Sequence, residues 1–191
     1  MEYMSHINPS RLLTLGHGTS DETQLRQRMG SAGISLVVDV RRHPGSRRHP
    51  HVARDALARW LPEAGIAYEW YGDLGGRRSV PPDSPDVALR NASFRGYARH
   101  MRTAAFAAAL RDVLARAETT TAAVMCSESL WWRCHRRMIA DAAVLLHGAT
   151  VEHVLPDGRT AEHEPTTGVR VASHELVYDR LTQPRLPGSG P

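Results

Sequence analysis

The sequence predicts an α/β fold: a mostly parallel sheet with helices on both faces, forming a single compact domain with a C-terminal β-hairpin extension. Two observations carry that expectation. Short apolar or β-branched runs alternate with helix-length amphipathic segments, and turn-forming residues close each run. A chain of 191 residues with 41% apolar content is also large enough to bury one core.

The first apolar run, residues 12–15 (LLTL), ends in GHG, a strand followed by a tight turn. Thr19 stands three residues before Glu22, the spacing of a capping box, which starts a helix through about residue 32. LVVDV, residues 36–40, is stopped by an arginine- and proline-rich loop and reads as a buried strand. Residues 55–64 have helical spacing, with Pro62 expected to distort the last turn. IAYEWY, residues 66–71, is the third strand, followed by GDLGGRR. Residues 79–92 are polar and proline-rich and predict a long loop or lid. Residues 94–101 and 104–117 predict consecutive helices, 120–126 a strand and 133–147 a helix. Residues 150–155 form a last strand, which PDG turns back into a hairpin. The expected division is an N-terminal extension over 1–11, the α/β domain over 12–155, a hairpin and C-terminal extension over 156–182, and a disordered tail over 183–191.

All 24 basic residues are arginine, and the net charge is +4 with a pI near 9.6. GC-rich coding favours arginine over lysine, so placement says more than number. Residues 41–54 (RRHPGSRRHPHVAR) hold five arginines and three histidines, and CHRR adds a second basic cluster. Guanidinium groups grip phosphates bidentately, so the pattern points to a polyanionic partner. No apolar run approaches the roughly 20 residues of a membrane span, and the N-terminus lacks a signal-peptide pattern. The expected location is therefore the cytoplasm, away from membranes, with both cysteines reduced. The sequence sets no oligomeric state.

GHG, Asp39 with Arg41, GDLGG and CSES all fall at the C-terminal ends of predicted strands, the edge along which open parallel sheets bind ligands. Three chemistries compete there. Cys126 and Cys134 stand eight positions apart without a C-x-x-C pair, which argues against zinc, so no metal is expected. Cys126 has the placement of a thiol nucleophile, but its loop, SESLWWR, has no glycine to cradle an oxyanion, and Glu128 would repel one. Asp39 either pairs with Arg41 and caps the loop, or serves as a general base or stabiliser of a cationic transition state; Glu128 has the same two readings. Trp131, Trp132 and Tyr97 offer stacking faces for a base. Arg95, Arg99 and Arg102 share one helix face, either solvated or tracking phosphates.

Taken together, LGHGTSDETQL, VVDVRRHPGSRR, GDLGGRR, FRGYARHMRT and MCSES…CHRRMIAD resemble the family known as domain of unknown function 488, over residues 12–154. The family's last motif reads C-x-E followed by C-H-R, and Cys126, Glu128, Cys134, His135 and Arg136 match it. The paired tryptophans depart from it. The resemblance implies a compact α/β domain with its site along the strand edge, and some members are linked to removal of modified pyrimidines from DNA.

The resulting expectation is a metal-independent DNA glycosylase, without cofactor, that flips a 5-substituted pyrimidine from double-stranded or locally opened DNA and cleaves its N-glycosidic bond. The expected catalytic residues are Asp39, Glu128 and His17. Arg41, Arg42, Ser46, Arg47, Arg48, Arg95, Arg133, His135 and Arg136 would hold the nucleic acid, with Tyr97, Trp131 and Trp132 against bases. The alternatives are a non-catalytic DNA- or RNA-binding module and a thiol or phosphate-transfer enzyme using Cys126.

Overall fold

The computed structural model describes residues 10–79 and 82–180; most of the expected N-terminal extension and all of the expected tail lie outside the described residues. The strands are β1 (Arg11–Gly16), β2 (Leu36–Asp39), β3 (Ala67–Trp70), β4 (Ala122–Cys126), β5 (Thr150–Val154) and β6 (Thr160–Glu162). They form a six-stranded sheet in the order β3-β2-β4-β1-β5-β6. The first five run parallel, and β6 returns antiparallel to β5 after the PDG turn, as the sequence predicts. The central strands β1 and β4 are buried almost end to end, which is why they read as continuous apolar runs.

Helices cover both faces. On one, α1 (Glu22–Ser31) and α2 (Arg54–Glu63) lay Leu25, Met29, Leu57, Trp60 and Leu61 over Leu13, Leu15, Val37 and Met125. On the other, α3 (Ala92–Met101), α4 (Ala104–Ala117) and α5 (Arg136–His147) bury Tyr97, Phe106, Leu110, Met138 and Ile139 over Leu12, Val38 and Val124. The antiparallel ribbon of β7 (Val169–Ala172) and β8 (Glu175–Tyr178) packs Leu176 and Tyr178 into that second core.

The helix starts differ from the sequence reading by one residue at α2, by two at α3, which begins at Ala92, and for clear local reasons at α1 and α5. The capping box of α1 is Asp21 with Gln24, two residues past the expected Thr19 and Glu22. The reason is a turn over 17–20: His17 N–H bonds Cys126 O, Gly18 takes a φ of +54° and Ser20 N–H returns to His17 O. No helix can begin until that turn closes. Likewise α5 begins at Arg136 rather than residue 133, because Trp131–Arg133 forms a separate 3-10 turn and Cys134 is extended.

A buried polar chain ties the second face together. Tyr178 Oη donates to Asp141 Oδ2 at 2.9 Å, and His163 Nε2 donates to Asp141 Oδ1 at 3.0 Å, since a carboxylate only accepts. His163 Nδ1 lies 2.9 Å from His153 Nε2, and His153 Nδ1 lies 2.7 Å from Thr14 Oγ1. Burial and the neighbouring His163 lower the His153 pKa to about 3, so that ring is neutral at physiological pH. Asp86, also buried, accepts from Arg102 and from Tyr178 N–H, which pins the loop expected as a lid to β8.

Candidate functional site

The C-terminal ends of β2 and β4 open into a cavity of about 510 Å³, within the usual size of ligand sites. The loop after β2 supplies Arg41, Arg42 and His43, and the loop after β3 supplies Gly76 and Arg77. Ser127 and Glu128 come from the loop after β4, Phe94 and Tyr97 from α3, and Arg133, Cys134 and His135 from the approach to α5. A second cavity of about 360 Å³ shares Arg41, Ser127 and Glu128 and reaches His17, Ser46 and Ser129. Convergence of strand-end loops, expected from the sequence, is thus what the fold produces.

Asp39 is fully buried and lines neither cavity. Its Oδ1 accepts from Arg41 Nε at 2.9 Å and from Arg41 N–H at 3.0 Å; its Oδ2 accepts from Arg41 Nη2 at 2.7 Å and Tyr68 Oη at 2.8 Å. Four donors therefore surround one carboxylate. Burial and the charge of Asp39 push the Tyr68 hydroxyl well above its ordinary range, so it remains a donor. Of the two readings of Asp39, the geometry matches the pairing with Arg41: it aims that guanidinium, whose Nη2 also donates to Val52 O at 2.8 Å.

His17 is held between Gly18 O, 2.9 Å from its Nδ1, and Arg41 Nη1, 3.4 Å from its Nε2. Burial, then the positive charge of Arg41, lower its pKa to about 4. A ring with Nδ1–H on the carbonyl and its Nε2 lone pair towards Arg41 is neutral at pH 7. Its Nε2 thereby faces the Arg41 guanidinium at the rim.

Glu128 is exposed, and its carboxylate makes no hydrogen bond or ion pair with a described residue. Among the described residues it is the one acidic group on either cavity. Its loop is fixed from behind by backbone: Arg136 Nη2 donates to Glu128 O, and a Cβ on Gly16 would stand 1.9 Å from that oxygen. Gly16 therefore has to lack a side chain for the loop to reach its place.

Cys126 and Cys134 meet at the floor of the larger cavity. Both are buried and free, and His135 Nδ1 lies 3.8 Å from the first sulfur and 3.7 Å from the second. The neighbouring thiol lowers the Cys134 pKa well below the ordinary thiol range and raises that of Cys126. Spacing alone did not reveal this cluster, because the 3-10 turn folds eight residues back on the end of β4.

The remaining expected residues divide. Arg42 and Arg133 are exposed on the larger cavity, with Arg42 Nη1 also donating to Arg77 O at 2.9 Å. Ser46 lies on the smaller cavity and accepts from His49 N–H. Arg47 and Arg48 are exposed beside it and line neither cavity. Arg95 lies outside both and donates to Leu89 O at 2.9 Å. Arg136 is buried; its Nη1 donates to Thr14 Oγ1 and its Nη2 to the carbonyls of Glu128 and Ser129. Tyr97 is buried, donates to Leu74 O at 2.7 Å and meets His135 edge-on. Trp131 and Trp132 border a different groove, near Phe94 and Arg137. The signal missed in the sequence was Arg77, inside the GDLGGRR motif, with a φ of +58° at the cavity mouth.

The family described as Domain of unknown function DUF488 matches residues 23–143. No curated protein and no solved structure matches the chain. The chain belongs to the DUF488 family.

Proposed function

We propose that this DUF488 member is a DNA glycosylase that draws a 5-substituted pyrimidine nucleotide into the larger cavity and hydrolyses its N-glycosidic bond. The observation that carries the reading is Glu128, among the described residues the lone and unpaired carboxylate on a cavity rimmed by Arg42, Arg77 and Arg133. Cations at the mouth suit the phosphates of a flipped nucleotide. A carboxylate inside suits the oxocarbenium-like sugar that forms as the base departs. In the step, the C1′–N1 bond breaks and its electron pair leaves with the base. Water adds to C1′ as hydroxide, Glu128 takes the proton that this water loses and passes it to the departing base anion, and the base leaves neutral with an abasic sugar behind and Glu128 again a carboxylate.

The division of labour differs from the expectation in one respect. Glu128 takes the catalytic role, while Asp39 and His17 become positioning residues that hold Arg41. The test is incubation with duplexes carrying a panel of 5-substituted pyrimidines, followed by alkaline cleavage at abasic sites. Release by the native chain and its loss in Glu128→Gln, with DNA binding retained, support the reading. Absence of release from every modified duplex, alongside salt-sensitive DNA binding, would favour a binding module instead.

A further inference from the structure

We propose that Cys126, Cys134 and His135 form a binding site for one zinc-type divalent ion, with its fourth coordination position open to the cavity. The inference rests on donor geometry alone and is independent of the glycosylase reading. Cys126 Sγ, Cys134 Sγ and His135 Nδ1 all lie within 4.8 Å of one another. Tetrahedral zinc, with bonds of about 2.3 Å to sulfur and about 2.0 Å to nitrogen, places its ligand atoms about 3.6–3.8 Å apart. The imidazole nitrogen stands 3.8 and 3.7 Å from the two sulfurs, close to that spacing, and the sulfurs lie within 4.8 Å of each other, so a small closure of the pair brings all three donors onto one ion.

The surroundings fit a built site. The thiols are 6% and 2% exposed, at the end of β4 and just before α5, two of the best-packed elements of the fold. Gly76 abuts the imidazole: a Cβ there would stand 3.0 Å from His135 Nδ1, so a side chain would crowd the donor. Tyr97 supports the ring, 5.0 Å between centroids. Coordination by Nδ1 leaves the hydrogen on Nε2. All three ligands line the cavity, so the open position faces the same space as Glu128. Three protein ligands and one open position is the arrangement of catalytic rather than structural zinc. The ion's double charge is balanced by two thiolates. A disulfide between the same cysteines would have no use for an imidazole equidistant from both sulfurs.

The full chain, reduced and stripped with chelator, is titrated with Co²⁺ and followed by absorption. The expected result is a thiolate-to-cobalt charge-transfer band with tetrahedral d–d bands, saturating at one ion per chain and displaced by Zn²⁺. Cys126→Ser and Cys134→Ser should each abolish the charge-transfer pattern, and His135→Ala should weaken affinity by at least about tenfold. Thermal unfolding in chelator establishes that each variant is folded. No band in the native reduced chain overturns the site, whatever the variants do. So does a band unchanged in a folded cysteine variant, which marks ion uptake elsewhere. Thiol titration showing a disulfide in the native chain that, once reduced, takes up no ion overturns it as well. Base release is not read in this experiment, so this proposal and the glycosylase reading fail separately.

Discussion

Trp131 lies flat on His153, with 4.0 Å between ring centroids and 8° between planes. One face of the indole is therefore taken by the protein, at the head of the polar chain that runs through His163 to Asp141. Its neighbour Trp132 meets it edge-on and is 45% exposed. The pair splits into a packing residue and a surface residue. Trp131→Ala should cost about 2 kcal/mol, below the range of a full core position because the ring is half-buried. Trp132→Ala should change stability by less than about 0.5 kcal/mol. Urea midpoints of the two variants decide this, and equal losses would contradict it.

Asp39→Asn should unfold the chain more readily by about 3 kcal/mol, because it leaves the Arg41 guanidinium buried with its anion removed. Glu128→Gln, at an exposed and unpaired carboxylate, should leave the midpoint within about 0.5 kcal/mol. A stable Asp39→Asn that has lost base release would return Asp39 to the catalytic role.

Gly16→Ala places a methyl group against Glu128 O and 2.7 Å from Arg136 Nη2. Overpacking of that kind costs about 1–3 kcal/mol, and here it also displaces the loop that carries Glu128. The variant should lose base release out of proportion to its stability, measured well below its melting temperature. Full release would mean that the loop's position does not matter.

Stability should fall on acidification. His17 titrates at about 4 and His153 at about 3 in the folded chain, against 6.5 when unfolded, chiefly through burial. Below 6.5 the unfolded chain binds protons that the folded chain refuses, so this stability is complete above 6.5. It is lost through the interval down to about 4 for His17 and continues to about 3 for His153. The His17 part amounts to about 3 kcal/mol at the acid end. Denaturation curves at several pH values between 8 and 4 test the slope. His17→Gln should flatten it, and a pH-independent midpoint would refute the assignment.

Exposed and buried arginines should separate in DNA binding. Arg42→Ala and Arg133→Ala should each weaken binding and reduce the salt slope by about one, with little effect on folding. Arg136→Met should instead destabilise the chain, since its donors hold Thr14 and the Glu128 loop. Salt-dependent binding isotherms beside melting curves distinguish the two classes.

Much of this arrangement can be read from local patterns. Strand runs such as LVVD and AAVMC are apolar because both faces of the sheet are covered, and strand-end loops gather at one edge for topological reasons. Asp39 and Arg41 are two residues apart, so their pairing is visible as one of two readings. Arg136 and Trp131 are different: polarity and position alone make them surface residues, and only the β1 and β5 strands, distant in sequence, bring up the Thr14 and His153 side chains that they meet. The cysteine cluster is hidden for a related reason. Metal spacing rules describe ligands on one tight turn, whereas these thiols are joined by a strand end and a 3-10 turn.

The order of the sheet also sets the smallest piece of chain that can stand alone. β1 lies between β4 and β5, yet the region by which the family is recognised starts at residue 23, after β1 has ended. A chain trimmed to 23–143 would lose both β1 and β5, leaving β4 as a bare apolar edge prone to self-association. Gly16, His17 and the seat of Arg136 would go with them. The unit that folds is therefore wider than the unit that is recognised, and the segment outside the recognised region supplies the sheet's middle strand.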